Sequence, residues 1–178
     1  TRRAARALKQ RLRCFQKRIP RFRMLRRMGI ATDRLGRTGG IAAMVYGQAA
    51  TGVSNSLLLA QRRAAAAAMA PLSGAGGQNF DRAMLIADGS SKGRADPAYQ
   101  AHEMPIGEWA AAVWEERLPA SALQRMVRVA KSKLARARNT WSVCYGPAAA
   151  MVASCRRLKW QVVNATTVVT DAGRTVDM

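Results

Sequence analysis

The sequence is short of the side chains from which catalytic and metal centres are assembled. It has three cysteines, Cys14, Cys144 and Cys155, odd in number and far apart, and one histidine, His102. No CxxC pair occurs, so a structural zinc site lacks ligands at workable spacing, and buried free thiols in a reducing compartment are expected. Acids are scarce, 10 against 30 Lys and Arg. The only adjacent pair, Glu115-Glu116, would point about 100° apart on a helix, whereas two-metal chemistry needs carboxylates converging on ions roughly 4 Å apart. Aromatics are only 6%. No apolar run approaches the roughly 18 residues of a membrane span, and no hydrophobic signal sequence is present. Catalysis by this chain alone, a bound cofactor and a metal site are therefore not expected.

Two local patterns invite a catalytic interpretation and fall short of it. Leu85-Ile86-Ala87-Asp88-Gly89-Ser90 looks like the first catalytic strand of a ribonuclease H, but Glu103, Glu108 and Asp171 do not lie in the contexts that fold requires. Asp-Gly is common in turns, and Asp88 is read as a turn residue. Gly74-Ala75-Gly76-Gly77 is followed by no Lys-Ser/Thr pair, so it reads as linker rather than phosphate loop.

What the chain has in abundance is positive charge: a net +20 over 178 residues and a pI near 11.6. A compact state with that charge repels itself, so a polyanionic partner is the natural expectation. Apolar residues make up 49%, too many for disorder throughout. Many are alanine, which favours helix and buries little area, so close helix packing around a thin core is expected.

The fold class read from these patterns is mainly α, in helical subdomains, with a short β-hairpin or extended segment near the C-terminus. Residues 1–37 form a basic amphipathic segment with 14 Lys/Arg and one acid, Asp33. Ala4, Leu8, Leu12, Phe15 and Ile19 line one helical face, and Pro20 breaks that helix before a shorter one ended by Gly29. Residues 38–70 read as a small-residue helical hairpin, its glycines allowing close approach and Ser54 or Asn55 capping the second helix. Residues 71–79 read as a linker, and 80–178 as a helical subdomain. In that subdomain Asp96-Pro97 starts a helix and Pro105 opens another, with Ile106, Trp109, Ala110, Val113 and Trp114 on one side. Pro119 starts the clearest helix, with Leu123, Met126, Val127, Ala130, Leu134 and Ala137 as its buried stripe. Gly146-Pro147 begins a further helix, residues 160–163 are extended, and Asp171-Ala172-Gly173-Arg174 makes a turn. Trp109, Trp114, Trp141 and Trp160 read as core or seam residues rather than base-stacking platforms.

Two stretches suit phosphate contact. The first supplies Arg6, Lys9, Arg11, Arg13, Lys17, Arg18, Arg21, Arg23, Arg26 and Arg27; the second supplies Arg125, Arg128, Lys131 and Arg136. Solvated helix faces usually interleave both signs, and these do not. Arginine outnumbers lysine 10 to 2 over residues 2–27, which favours bidentate contact with phosphates. Such contacts orient a nucleic acid without reading its sequence.

Several segments occur in a recognisable order: Thr38-Gly39-Gly40 through Met44-Val45-Tyr46-Gly47, Gln61-Arg62-Arg63, Asp96-Pro97-Ala98, Pro105-Ile106-Gly107-Glu108-Trp109 through Trp114, Gly146-Pro147-Ala148-Ala149-Ala150, and Asp171-Ala172-Gly173-Arg174. Over roughly residues 5–178 the chain resembles a region of non-LTR (LINE-like) retroelement open reading frames abundant in dinoflagellate genomes. That region follows the reverse transcriptase palm and precedes a ribonuclease H-like region. The resemblance implies a thumb or connection role, with helices gripping an RNA/DNA primer–template while the rest of the polyprotein, an RNA-directed DNA polymerase, does the chemistry. It carries over no catalytic residue and implies an intracellular protein, nuclear when acting in retrotransposition. The first residue is Thr1, which suggests a fragment of a longer frame. The competing reading is a stand-alone basic RNA-binding or ribosome-associated protein. A membrane-surface helix over residues 2–28 ranks third, since its apolar stripe has only four large residues, Leu8, Leu12, Phe15 and Ile19.

Overall fold

The computed structural model describes residues 2–69, 81, 84, 85, 88 and 93–178. The expected linker at 71–79 lies outside these residues. The chain is mainly helical with a small antiparallel sheet near its C-terminus, and it divides into two compact units, each built from separated stretches. One unit comprises residues 3–46 and 54–100; the other comprises 1–2, 47–53 and 101–178. The chain thus passes between units after Arg2, Tyr46, Val53 and Gln100. The units are defined by which parts of the chain pack together, not by their order in sequence.

In the first unit, α1 (Arg2–Gln16) and α2 (Ile19–Arg27) are joined by a tight turn at Lys17 and Arg18, with Pro20 near the start of α2. Leu8, Leu12 and Phe15 are buried, as the helical spacing predicts. A short turn α3 (Asp33–Leu35) runs into a π-helical stretch, Gly36–Ile41, and then α4 (Ala42–Val45). The wider π turn belongs to the glycine-bearing segment expected to be helical. Gly40 shows why glycine is needed there: a Cβ would stand 2.4 Å from the Phe15 ring. After α5 (Gln48–Thr51), which belongs to the second unit, the helix α6 (Asn55–Met69) is capped by the Ser54 hydroxyl, which accepts the Leu57 amide at 3.3 Å. It packs against α2, and the Thr32 hydroxyl donates to the Ala68 carbonyl at 2.9 Å.

The second unit is built around α9 (Gly146–Arg157), against which α5 (Gln48–Thr51) and α8 (Ala120–Arg136) pack. Residues Ala148 to Cys155 are all buried. Four alanines among them let neighbouring backbones approach from several sides. Gly52, at φ +61°, turns the chain beside α9, where a Cβ would lie 2.7 Å from the Trp141 ring. The expected stripe of α8 is buried at Leu123, Val127, Ala130 and Leu134 and half-buried at Met126.

One helix, α7 (Pro97–Trp114), replaces the two expected there, with Pro105 inside it. Asp96 caps it by accepting the Ala98 amide at 2.8 Å. Proline has no N–H, so Pro105 cannot serve the Ala101 carbonyl one turn back. The Ser154 hydroxyl of α9 donates to that carbonyl at 3.4 Å instead, a long contact that gives it a partner. Trp109 is buried, but Trp114 is 84% exposed, contrary to its expected place beside Trp109. Five residues at about 100° each rotate it about 140° away.

The sheet joins β1 (Gln161–Val162), β2 (Thr167–Val169) and β3 (Thr175–Asp177), all antiparallel in the order β1-β2-β3. The expected turn at 171–174 closes the β2–β3 hairpin, the Gly173 amide donating to the Thr170 carbonyl.

Candidate nucleic-acid interface

On α1 the buried Leu8, Leu12 and Phe15 settle which side faces water. At about 100° per residue, Arg6 and Arg13 fall on the opposite side, Lys9 on the flank between, and Lys17 continues the line. All four are exposed. The Lys17 amide still donates to the Arg13 carbonyl at 3.0 Å, so the helical path holds to that point. The 1.5 Å rise spreads the four charges over about 16 Å. Arg18, Arg21, Arg23 and Arg27 are also exposed. None of these eight forms a salt bridge among the described residues.

Two predicted residues of the first stretch are occupied internally. The Arg11 guanidinium donates to the Tyr46 carbonyl at 2.5 Å and lies 5.0 Å from the Tyr46 ring centre. Arg26 donates to the Ala67 carbonyl at 2.8 Å, while its Nε and Nη1 are buried without a partner among the described residues. Burial, and then the charge of Arg23, lowers its pKa. Arg26 therefore ties α2 to α6 rather than facing solvent.

On α8, Arg125, Arg128 and Arg136 are exposed. Lys131 bends to the sheet, its Nζ donating to the Val162 carbonyl at 2.8 Å. Helical periodicity gives the face of a long side chain but not which carbonyl lies within its reach.

Two further arginines have internal roles that periodicity does not reveal. Arg62 of α6 meets Asp96 through two nitrogens at 2.8 and 2.9 Å, and Asp81 at 2.7 Å. Burial lowers its pKa, but the hydrogen bonds and charges of the two aspartates outweigh that and raise it overall. Arg157 lies 4.0 Å from the Trp141 ring centre and donates to the Val53 carbonyl, its Nε and Nη1 buried without partners among the described residues. Burial pulls its pKa down to about 10. The stack on Trp141 positions the guanidinium, and its hydrogen bond to Val53 ties the 47–53 segment into the second unit.

The Asp88 carboxylate is buried and turned to backbone, accepting the Gly93 amide at 2.7 Å and the Ala95 amide at 2.8 Å. Among the described residues no three His, Cys, Asp or Glu side chains gather as a metal site, and no helix is long and apolar enough to cross a membrane.

Cys144 and Cys155 are buried and unpaired, whereas Cys14 is exposed, against the expectation of three buried thiols. Cys14 lies on α1 beside the buried stripe rather than in it. Burial pushes the Cys144 and Cys155 thiols from 9.0 up to about 11. One thiol should react with a thiol reagent in the native protein at pH 8, and three after denaturation. The folded protein keeps protons that the unfolded chain loses, so this contribution to stability is full below pH 9 and disappears as pH rises through about 11. Alkaline unfolding curves should show that decline, and a Cys144→Ala/Cys155→Ala variant should flatten it.

Comparison with protein-family models, with curated proteins and with solved structures found no match to this chain.

Proposed function

We propose that this chain is a non-catalytic nucleic-acid-binding element that grips phosphates through its arginine-rich helices, as a thumb or connection segment of a retroelement reverse transcriptase polyprotein. The observation that carries the binding reading is the exposed line Arg6, Lys9, Arg13 and Lys17, backed by buried Leu8, Leu12 and Phe15 and unneutralised by any salt bridge among the described residues. A rigid row of cations on a docked helix suits a regularly spaced polyanion, and its phosphate contacts would confer affinity without sequence preference. The polyprotein context rests on the ordered motifs from Thr38-Gly39-Gly40 to Asp171-Ala172-Gly173-Arg174. An upstream palm with paired aspartates in the same reading frame of the transcript would support it, and a start codon immediately before Thr1 would count against it.

Binding is tested by titrating a labelled duplex across a range of salt. With about six phosphates engaged, the logarithm of the association constant should fall against that of salt with a slope of about −5. Duplexes of unrelated sequence should give the same line. An affinity indifferent to salt would remove the phosphate grip.

A further inference from the structure

A groove of about 290 Å³ lies in the second unit, between α8 and the segment that leads into α9. Arg125, Val129 and Lys133 of α8 line it. Their steps of four place them along one edge of the helix, and the helical rise separates the two cations by about 12 Å with an apolar side chain between them. Met126 also lines the groove, as does Tyr145, whose extended backbone (φ −136°, ψ 127°) leaves the side chain 51% exposed. The first-turn amides of α9 add partial positive charge at the same end. Neither Arg125 nor Lys133 has a hydrogen-bond or ion-pair partner among the described residues. No acid occurs anywhere from Arg117 to Thr170.

We propose that this groove holds a short unpaired stretch of nucleic acid, a base lying against Tyr145 and Val129 and flanking phosphates meeting Arg125 and Lys133. The inference rests on the nucleic-acid reading above and extends it from duplex phosphates to single strand. Charge complementarity selects an anionic occupant. An apolar, aromatic middle between two cations suits a polymer that alternates flat apolar rings with anions. Stacking on one aromatic ring is sequence-tolerant because every base has a π face. A base-paired strand keeps its bases inside the helix and cannot offer one to Tyr145.

The test compares the full chain with its Tyr145→Ala, Tyr145→Phe and Lys133→Gln variants, binding a labelled oligothymidylate or a duplex of equal length. Tyr145→Ala should weaken the single strand about tenfold. It should leave duplex affinity unchanged, while Tyr145→Phe retains wild-type affinity for both. Lys133→Gln should reduce the single-strand salt slope by about 0.7, one phosphate's share. Equal loss for both ligands, or no loss for either, overturns the groove assignment. Competition by polyglutamate as effective as by oligothymidylate also overturns it, making the groove a site for acidic peptide. If the duplex still binds with a steep salt slope while Tyr145→Ala has no effect, only the groove assignment falls. If the unsubstituted chain binds neither ligand, the phosphate reading falls with it.

Discussion

Replacing Arg6, Lys9, Arg13 and Lys17 together by glutamine should reduce duplex affinity about a thousandfold near 0.15 M salt and make the protein slightly more stable. Each phosphate contact contributes about 0.9 to the salt slope, so losing four of about six should flatten it from about −5 to about −2. Carried from 1 M salt, where counterion release contributes little, down to 0.15 M, four contacts amount to about three powers of ten. The stability change runs the other way. Lys9 to Arg13 and Arg13 to Lys17 are each four residues apart, and like charges at that spacing cost a helix about 0.2–0.5 kcal/mol per pair. Glutamine has similar helix propensity to lysine and arginine, so relief of repulsion should dominate. A higher melting temperature with weaker binding would identify the row as kept for a partner rather than for the fold. Unchanged affinity would show that the row does not contact phosphate. Arg11 and Arg26 are poorer choices because each holds a backbone carbonyl within the first unit.

Trp109→Ala should be the most damaging single substitution in the second unit. The side chain is 1% exposed in the cluster formed with Leu123, Val127 and the buried residues of α9, and its indole N–H donates to the Ala165 carbonyl at 2.8 Å. Truncating a buried Trp costs about 3–5 kcal/mol, because the surroundings only partly refill the space. A carbonyl left without its donor adds on the order of 1 kcal/mol. For a unit of this size that corresponds to a fall in melting temperature of roughly 15–30 °C, readable by near-ultraviolet circular dichroism. Trp109→Phe should cost less, keeping most of the ring volume but losing the hydrogen bond. Trp114→Ala provides the contrast: at 84% exposure it should change stability by no more than about 0.5 kcal/mol. Similar effects at the two tryptophans would mean that Trp109 is not the anchor of this core.

Much of this architecture can be read along the chain because it follows from local rules. Steps of three and four place Leu8, Leu12 and Phe15, and Leu123, Val127, Ala130 and Leu134, on buried faces. Capping chemistry marks Ser54 and Asp96, each accepting an amide at the start of its helix. The same periodicity turns Arg6, Lys9 and Arg13 outward, so much of the candidate phosphate surface follows from spacing and charge alone. Continuation of α7 through Pro105 could not be read this way, because the group that meets the carbonyl proline leaves, Ser154, comes nearly fifty residues later.

The sequence by itself therefore determined the helical class, the positive charge and the outward face of the first helix, since each depends on residues within a few turns of one another. Only the tertiary structure decided which cations remain exposed. Arg26, Lys131 and Arg157 have the same chemistry as their exposed neighbours, yet Ala67, Val162 and Val53 respectively offer them carbonyls from distant parts of the chain. Tertiary packing likewise brought Tyr145 beside Val129 and Lys133 to form a groove. A long flexible side chain takes whatever acceptor folding brings within reach, and that reach is a property of space rather than of sequence spacing.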